Sequence, residues 1–148
     1  MTLTQSLEHL LKNAITSFQT MVPAPITVEP TIALSPEMNL PFRSVFIGLT
    51  GDISGSLIIQ GEERTFSNLA RSMFGMEIEG AMLQSFTCEL GNMIAGNFAT
   101  EATNVQVSLD ITPPCIYEEA FFTSMGTVVS LPLKFQDNGY LHISISMN

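Results

Sequence analysis

The sequence predicts an α+β fold: one antiparallel β-sheet with helices packed on one face, a two-layer sandwich formed by a single domain over residues 1–148. Three observations carry this. The chain has 148 residues, 45% of them hydrophobic, enough for one core of its own. Its strand-like segments alternate apolar and polar residues, so each buries one face. The order of segments is a helix, three strands, helices, then three strands, which segregates helices from an antiparallel sheet.

Residues 3 to 20 read as the first helix. Leu3, Leu7, Leu10, Leu11, Ala14, Ile15 and Phe18 recur at helical spacing, Thr2 or Thr4 can cap the start, and Pro23 and Pro25 close it. Residues 26 to 34 alternate like a strand that Pro30 restricts to an edge or a bulge; Pro36 and Pro41 mark a loop over 35 to 41. A hairpin follows, with Val45, Ile47 and Leu49 on one limb, Ile53, Leu57 and Ile59 on the other, and Thr50-Gly51-Asp52 between them. Gly48 and Gly55 suggest a bulge or tight packing against a helix. Residues 62 to 75 form a second helix with Phe66, Leu69, Ala70, Met73 and Phe74 inward and Gly75 at its end; 76 to 80 link it to the next.

That next helix, Ser85 to Thr103, has an unusual cross-section. At about 100° per residue, Met82, Leu83, Phe86, Leu90, Met93, Ile94 and Phe98 cover roughly half the circumference and read as buried. A narrow strip opposite holds Ser85, Glu89, Asn92, Gly96, Ala99 and Thr103. Glu89 lies four residues after Ser85 and Asn92 three after Glu89, so the side chains are neighbours. A mid-helix glycine such as Gly96 costs about 1 kcal/mol relative to alanine, a cost often tied to close approach by a backbone or ligand. Alone, Glu and Asn at this spacing usually form a solvated face, and a strip of small residues can be a helix-packing seam.

Beyond it, Val105, Val107, Leu109 and Ile111 alternate as a strand that Thr112-Pro113-Pro114 stops. Residues 116 to 125 have the weakest pattern, with Glu118 and Glu119 read as solvated. The chain closes in a hairpin: Val129, Leu131, Leu133 and Phe135, the Asp137-Asn138-Gly139 turn, then Leu141, Ile143, Ile145 and Met147. Pro132 makes one side of its strand an edge or a bulge. His142, Ser144 and Ser146 face the other way, and His142 reads as a surface residue.

Composition excludes several functions. The net charge is −9, and the five basic residues, Lys12, Arg43, Arg64, Arg71 and Lys134, do not cluster. Nucleic acid and anionic membrane are therefore poor partners. No apolar run approaches the roughly 20 residues of a membrane span, and the first residues lack a basic signal segment, so a cytoplasmic location is expected. Cys88 and Cys115 read as reduced, packed thiols rather than zinc ligands. His9 and His142 lie far in sequence from any nucleophile, Ser85 shows no activating base, and neither a phosphate loop nor a carboxylate cluster with metal spacing is present.

The series Ser85-x-x-x-Glu89-x-x-Asn92, followed after a spacer by Thr112-Pro113-Pro114, resembles the signature of the CheC/CheX family of chemotaxis phosphatases. The run Glu89-Leu90-Gly91-Asn92-Met93-Ile94-Ala95-Gly96-Asn97 is similar to that family's site. The element order fits as well, so the resemblance covers most of the chain. It implies the fold predicted above. It also implies a hydrolase acting on the aspartyl phosphate of a CheY-like response regulator, in the manner of the CheX branch with one active site. Glu89 would engage the regulator's Lys and Asn92 would position the attacking water. Ser85, Gly96 and Ala99 would contact the partner. The regulator would supply the Mg²⁺, with no cofactor on this chain, and a homodimer is expected, through an exposed sheet edge away from the strip. Two other readings stay open: a non-catalytic docking or scaffold module akin to the flagellar switch proteins, and a strip buried in a homodimer. A weak internal repeat accompanies the resemblance. Thr4-x-x-x-Glu8-x-x-Leu11-x-x-x-Ile15 aligns with Ser85-x-x-x-Glu89-x-x-Asn92-x-x-x-Gly96, keeping the acid but losing the carboxamide.

Overall fold

Apolar periodicity and capping place helix α1 at Leu3–Gln19. The Thr2 hydroxyl accepts the Gln5 N–H at 3.2 Å and the Gln5 carboxamide accepts the Thr2 N–H at 2.9 Å, so Thr2 rather than Thr4 is the cap. The computed structural model describes residues 2–20, 26–28, 42–117, 127–135 and 139–147. The expectations for 29–41, for Glu118 and Glu119, and for Asp137 and Asn138 fall outside these residues.

Seven strands form one antiparallel sheet: β1 (Ile26–Val28), β2 (Phe42–Gly51), β3 (Gly55–Glu62), β4 (Leu109–Ile111), β5 (Cys115–Tyr117), β6 (Thr127–Phe135) and β7 (Tyr140–Met147). The order is β1-β6-β7-β3-β2-β4, with β5 also on β2. Helices α2 (Glu63–Phe74) and α3 (Gly80–Asn104) join α1 on one face. The core between the layers includes Leu11, Ile15 and Phe18 of α1, Leu90, Ile94 and Phe98 of α3, and Ile47, Ile59 and Ile143 of the sheet.

The strand order is a palindrome once the chain is divided before α3. The hairpins β2/β3 and β6/β7 meet at the β3–β7 seam, and the short edge strands β1 and β4 are the outermost pair. The internal repeat is therefore architectural. Its helix register differs from the one drawn in sequence: Leu7, Leu10, Leu11, Ala14, Ile15 and Phe18 match buried Thr87, Leu90, Gly91, Ile94, Ala95 and Phe98. Against that pattern His9, not Glu8, corresponds to Glu89, and Lys12, not Leu11, to Asn92. The alignment by acid identity slipped by one residue because Leu11 and Ile15 are core positions, whereas Asn92 and Gly96 are not.

Three further expectations are corrected. Residues 105–108 are not strand: α3 ends in a Schellman turn, with Val107 N–H donating to Ala102 O at 2.9 Å and Gln106 N–H to Thr103 O at 3.0 Å. Gln106 takes the left-handed conformation there, at φ 66°. Of the two glycines, Gly48 does face a bulge, at Thr112, whose side chain a Cβ there would meet at 2.9 Å, whereas Gly55 packs against strand backbone rather than a helix, since a Cβ on it would collide with the Ser146 carbonyl. His142 is 3% exposed, in a buried polar row with Ser44 and Gln60 across the ladder. Polar alternation there marks a second buried face, where Gln60 Nε2 donates to Ser44 Oγ at 3.3 Å, not a wet one.

The Thr112-Pro113-Pro114 stop is a bulge between β4 and β5. Leu49 faces Ile111 and Phe46 faces Cys115, so the register slips by one residue across the prolines. Gly48 N–H donates to Thr112 Oγ1 at 2.8 Å, and Thr112 N–H donates to Gly48 O at 3.0 Å, so Thr112 serves both backbone groups of Gly48 beside two prolines that have no N–H to give.

Candidate functional site

Helix α3 sits on the sheet through a row of small side chains. Thr87, Gly91 and Ala95 recur every four residues and are buried. A Cβ on Gly91 would stand 3.0 Å from Val45 Cγ1 and 3.0 Å from Ile47 Cδ1, so this glycine, not Gly96, lets the helix approach β2. The Thr87 hydroxyl donates to Leu83 O at 2.8 Å and so needs no partner across the layer. Leu83, Phe86, Leu90, Ile94 and Phe98 complete the inward face as expected. The far end of the helix is tied down indirectly. Asp52 in the β2–β3 turn donates its N–H to Ser108 O at 2.9 Å and accepts the Ser108 N–H at 2.8 Å, which fixes the chain just beyond α3.

The opposite face carries the strip. Ser85 and Glu89 are exposed; Asn92, Gly96 and Ala99 are half-buried, and Ala99 also leans on the core. Helix geometry puts the Cβ atoms of Glu89 and Asn92 about 5–6 Å apart on this face. Among the described residues, neither the Glu89 carboxylate nor the Asn92 carboxamide has a hydrogen-bond or ion-pair partner. Among the described residues, nothing lies within 4 Å of where a Gly96 Cβ would stand. The helix thus presents a carboxylate and a carboxamide with their hydrogen-bonding capacity unused, beside an open gap. A carboxylate can only accept, so it suits a cation or N–H donor; a carboxamide donates and accepts, so it can hold a water by both.

Two residues near the strip differ from expectation. Met82, read as buried, is 65% exposed. It lies two turns before Glu89, on the same side of the helix. Phe74, read as inward, is 56% exposed and meets the Phe86 ring edge-on at 5.7 Å. Apolar character placed both inside; the helical phase of Met82 against Glu89 was the signal that could have moved it. Both cysteines are free thiols: Cys88, next to Glu89, is half-buried, whereas Cys115 is exposed rather than packed. Burial, and secondarily the nearby Cys115 thiolate, pushes the Cys88 thiol above its ordinary range. Among the described residues no group of three or more His, Cys, Asp or Glu could hold a metal ion, and no helix is long and apolar enough to cross a membrane.

Known proteins resemble this chain in sequence and in fold. The family described as chemotaxis phosphatase CheX matches residues 43–133. The CheY-P phosphatase CheX of Thermotoga maritima is 34% identical over 106 residues, 67% of this chain and 68% of that protein. Among solved structures, CheX in a CheX–CheY–BeF3–Mg²⁺ complex from Borrelia burgdorferi superposes with a TM-score of 0.72 at 22% identity, covering 96% of this chain and 97% of that one. The middle domain of FliM from Vibrio alginolyticus reaches 0.63 at 11% identity, covering 97% and 93%. At these identities the two structures speak for the fold.

Proposed function

The chain belongs to the chemotaxis phosphatase CheX family, and from that premise we propose that it hydrolyses the aspartyl phosphate of a CheY-like response regulator. The observation that carries the reading is the pair Glu89 and Asn92, side by side on an accessible helix face and without partners among the described residues.

In this reading the chain supplies little more than position. The regulator's own Mg²⁺ and Lys activate the acyl phosphate, and this chain carries no cofactor. What the phosphoaspartate lacks is a water in line with the departing carboxylate. The Asn92 carboxamide accepts from and donates to that water, in the way positioning residues act in GTP hydrolysis. Water oxygen bonds to phosphorus, the bond from phosphorus to the aspartate oxygen breaks, and inorganic phosphate leaves with the proton passing to solvent. Glu89 pairs with the regulator's Lys and sets the register of α3 in the regulator's site. Ser85, Gly96 and Ala99 form the contact surface around them. The same reading places the protein in the cytoplasm as one domain over 1–148, working as a homodimer that leaves the strip uncovered. Light scattering at tens of micromolar that found only monomer would remove the dimer.

The test is a dephosphorylation time course of a CheY-like regulator charged with phosphoramidate. Asn92→Ala is expected to lower kcat by about 30- to 1,000-fold, the loss of a positioning group worth about 2–4 kcal/mol, with little change in affinity. Glu89→Ala is expected to lower kcat/KM and weaken binding. A wild-type protein that binds the regulator without accelerating hydrolysis would favour the docking-module reading.

A further inference from the structure

Three of the five exposed large apolar residues among those described, Phe74, Met76 and Met82, lie where α2 hands over to α3. Phe74 ends α2, Met76 is in the connection, and Met82 is in the first turn of α3. Phe74 and Met82 are linked through Phe86, whose ring meets that of Phe74 at 5.7 Å and which follows Met82 by one helical turn, and Met76 lies between them in the chain. Met76 and Met82 are 59% and 65% exposed. An ion pair between Arg71 and Glu77, at 3.1 Å, stands at the margin. A Phe and two Met left in water beside a charged rim have the composition of an interface centre rather than of ordinary surface.

The position of the patch selects its occupant. Met82 precedes Glu89 by two helical turns, about 10 Å along the axis and within about 20° around it, so the member of the patch that α3 carries shares one face of that helix with the strip. A specific partner covers about 800 Å² on each side, a disc of roughly 16 Å radius. Any partner that seats its phosphoaspartate against Glu89 and Asn92 therefore extends over Met82. A second copy of this chain on the patch would instead obstruct the strip. We infer that Phe74, Met76 and Met82 form the apolar half of the docking surface for the phosphorylated response regulator, meeting apolar side chains about 10 Å from its phosphoaspartate. This rests on the phosphatase reading and adds a division of labour: the patch supplies affinity, and Glu89 and Asn92 supply register and chemistry.

The test uses Met82→Asp, alone and with Met76→Asp. An acid in the first turn of α3 suits the helix dipole, so the fold tolerates it. With phosphoramidate-charged regulator, KM is expected to rise about tenfold or more for the pair while kcat at saturation stays within about twofold, opposite to Asn92→Ala. Met82→Leu should keep the wild-type KM. Affinity for the beryllofluoride-activated regulator, read by fluorescence anisotropy, should fall in parallel, and this readout does not depend on hydrolysis. Wild-type KM and wild-type affinity in Met82→Asp/Met76→Asp would overturn the inference. So would a dimer that dissociates while KM holds, which would give the patch to a second copy. A wild-type protein that binds but does not hydrolyse, with binding lost in the variant, would uphold the patch while the phosphatase reading fell; one that neither binds nor hydrolyses would end both.

Discussion

Replacing Gly96 by Ala should make the protein more stable and less active at once. Gly96 sits deep inside the 25-residue helix α3, where glycine costs about 1 kcal/mol relative to alanine. Relief is often cancelled by a clash, but here nothing lies within 4 Å of the new Cβ, so the whole propensity gain should appear. For a domain of this size about 1 kcal/mol corresponds to roughly 3 °C in Tm. The opposite sign in activity comes from the same methyl group. It projects into the gap beside Asn92, where the proposed function brings the regulator close, and overfilling a tight contact costs about 1–3 kcal/mol. A fall in kcat/KM of about tenfold is the expected size. Gly91→Ala is the internal control: its Cβ would press at 3.0 Å on Val45, which is β-branched and fully buried, so that variant should lose about 1 kcal/mol despite the same helical gain. Thermal and urea unfolding measure the first effect and phosphoregulator decay the second. A Gly96→Ala protein no more stable than wild type would refute the view of α3 as open above that glycine. One that is more stable but fully active would show that no partner surface comes near it.

The remaining predictions are smaller. Gln106→Gly relieves a left-handed residue at the end of α3 and should raise stability by about 0.5–1 kcal/mol, seen as a higher urea midpoint at unchanged m. Because the folded state raises the Cys88 pKa, the unfolded chain releases that proton first. The associated stability is therefore fully present below the ordinary thiol range and lost as pH rises from there through the raised folded value, a slope that Cys88→Ser should remove in alkaline denaturation curves. Iodoacetamide should accordingly label exposed Cys115 before Cys88, as mass spectrometry would show. Glu8→Ala breaks only an exposed pair with Lys12 at 3.2 Å, so catalytic rate should match wild type and stability should drop by no more than about 0.5 kcal/mol.

What could be read from the sequence follows physical lines. Helices α1 and α2, the two hairpins and the inward face of α3 were legible because a buried stripe imposes a period: Leu7 to Phe18 repeats at 3.6 and Leu131 to Ile145 at 2. The strip of Glu89 and Asn92 was legible for the converse reason, since polar residues interrupt an otherwise apolar helix. Four things were hidden. Gln106 ends α3 without the glycine that usually announces such a turn, so Val105 and Val107 passed for the start of a strand. Met82 and Phe74 are apolar yet exposed, and hydrophobicity alone cannot distinguish a core residue from one awaiting a partner. His142 is polar yet buried, because its ladder neighbours Gln60 and Ser44 make a polar layer inside the protein. Short β5 was invisible, as three residues carry no period.

The interrupted edge at Thr112 has a bearing on aggregation. A sheet of seven strands in a chain that is 45% hydrophobic would ordinarily offer two rows of unpaired amides on which further chains could grow. Here β4 and β5 are three residues each, separated by two prolines that have no N–H to give, while Thr112 turns its own hydroxyl inward to Gly48. At the other side of the sheet, β1 lies in a run bounded in sequence by Pro25 and Pro30. The border formed by β4 and β5, broken by two prolines, offers only short runs of backbone to a further chain. A dimer joined along the β4/β5 border would have only a few backbone rungs, so its strength would have to come from side chains. That makes pairing selective for a copy with the right surface, and fibril growth by strand stacking correspondingly poor.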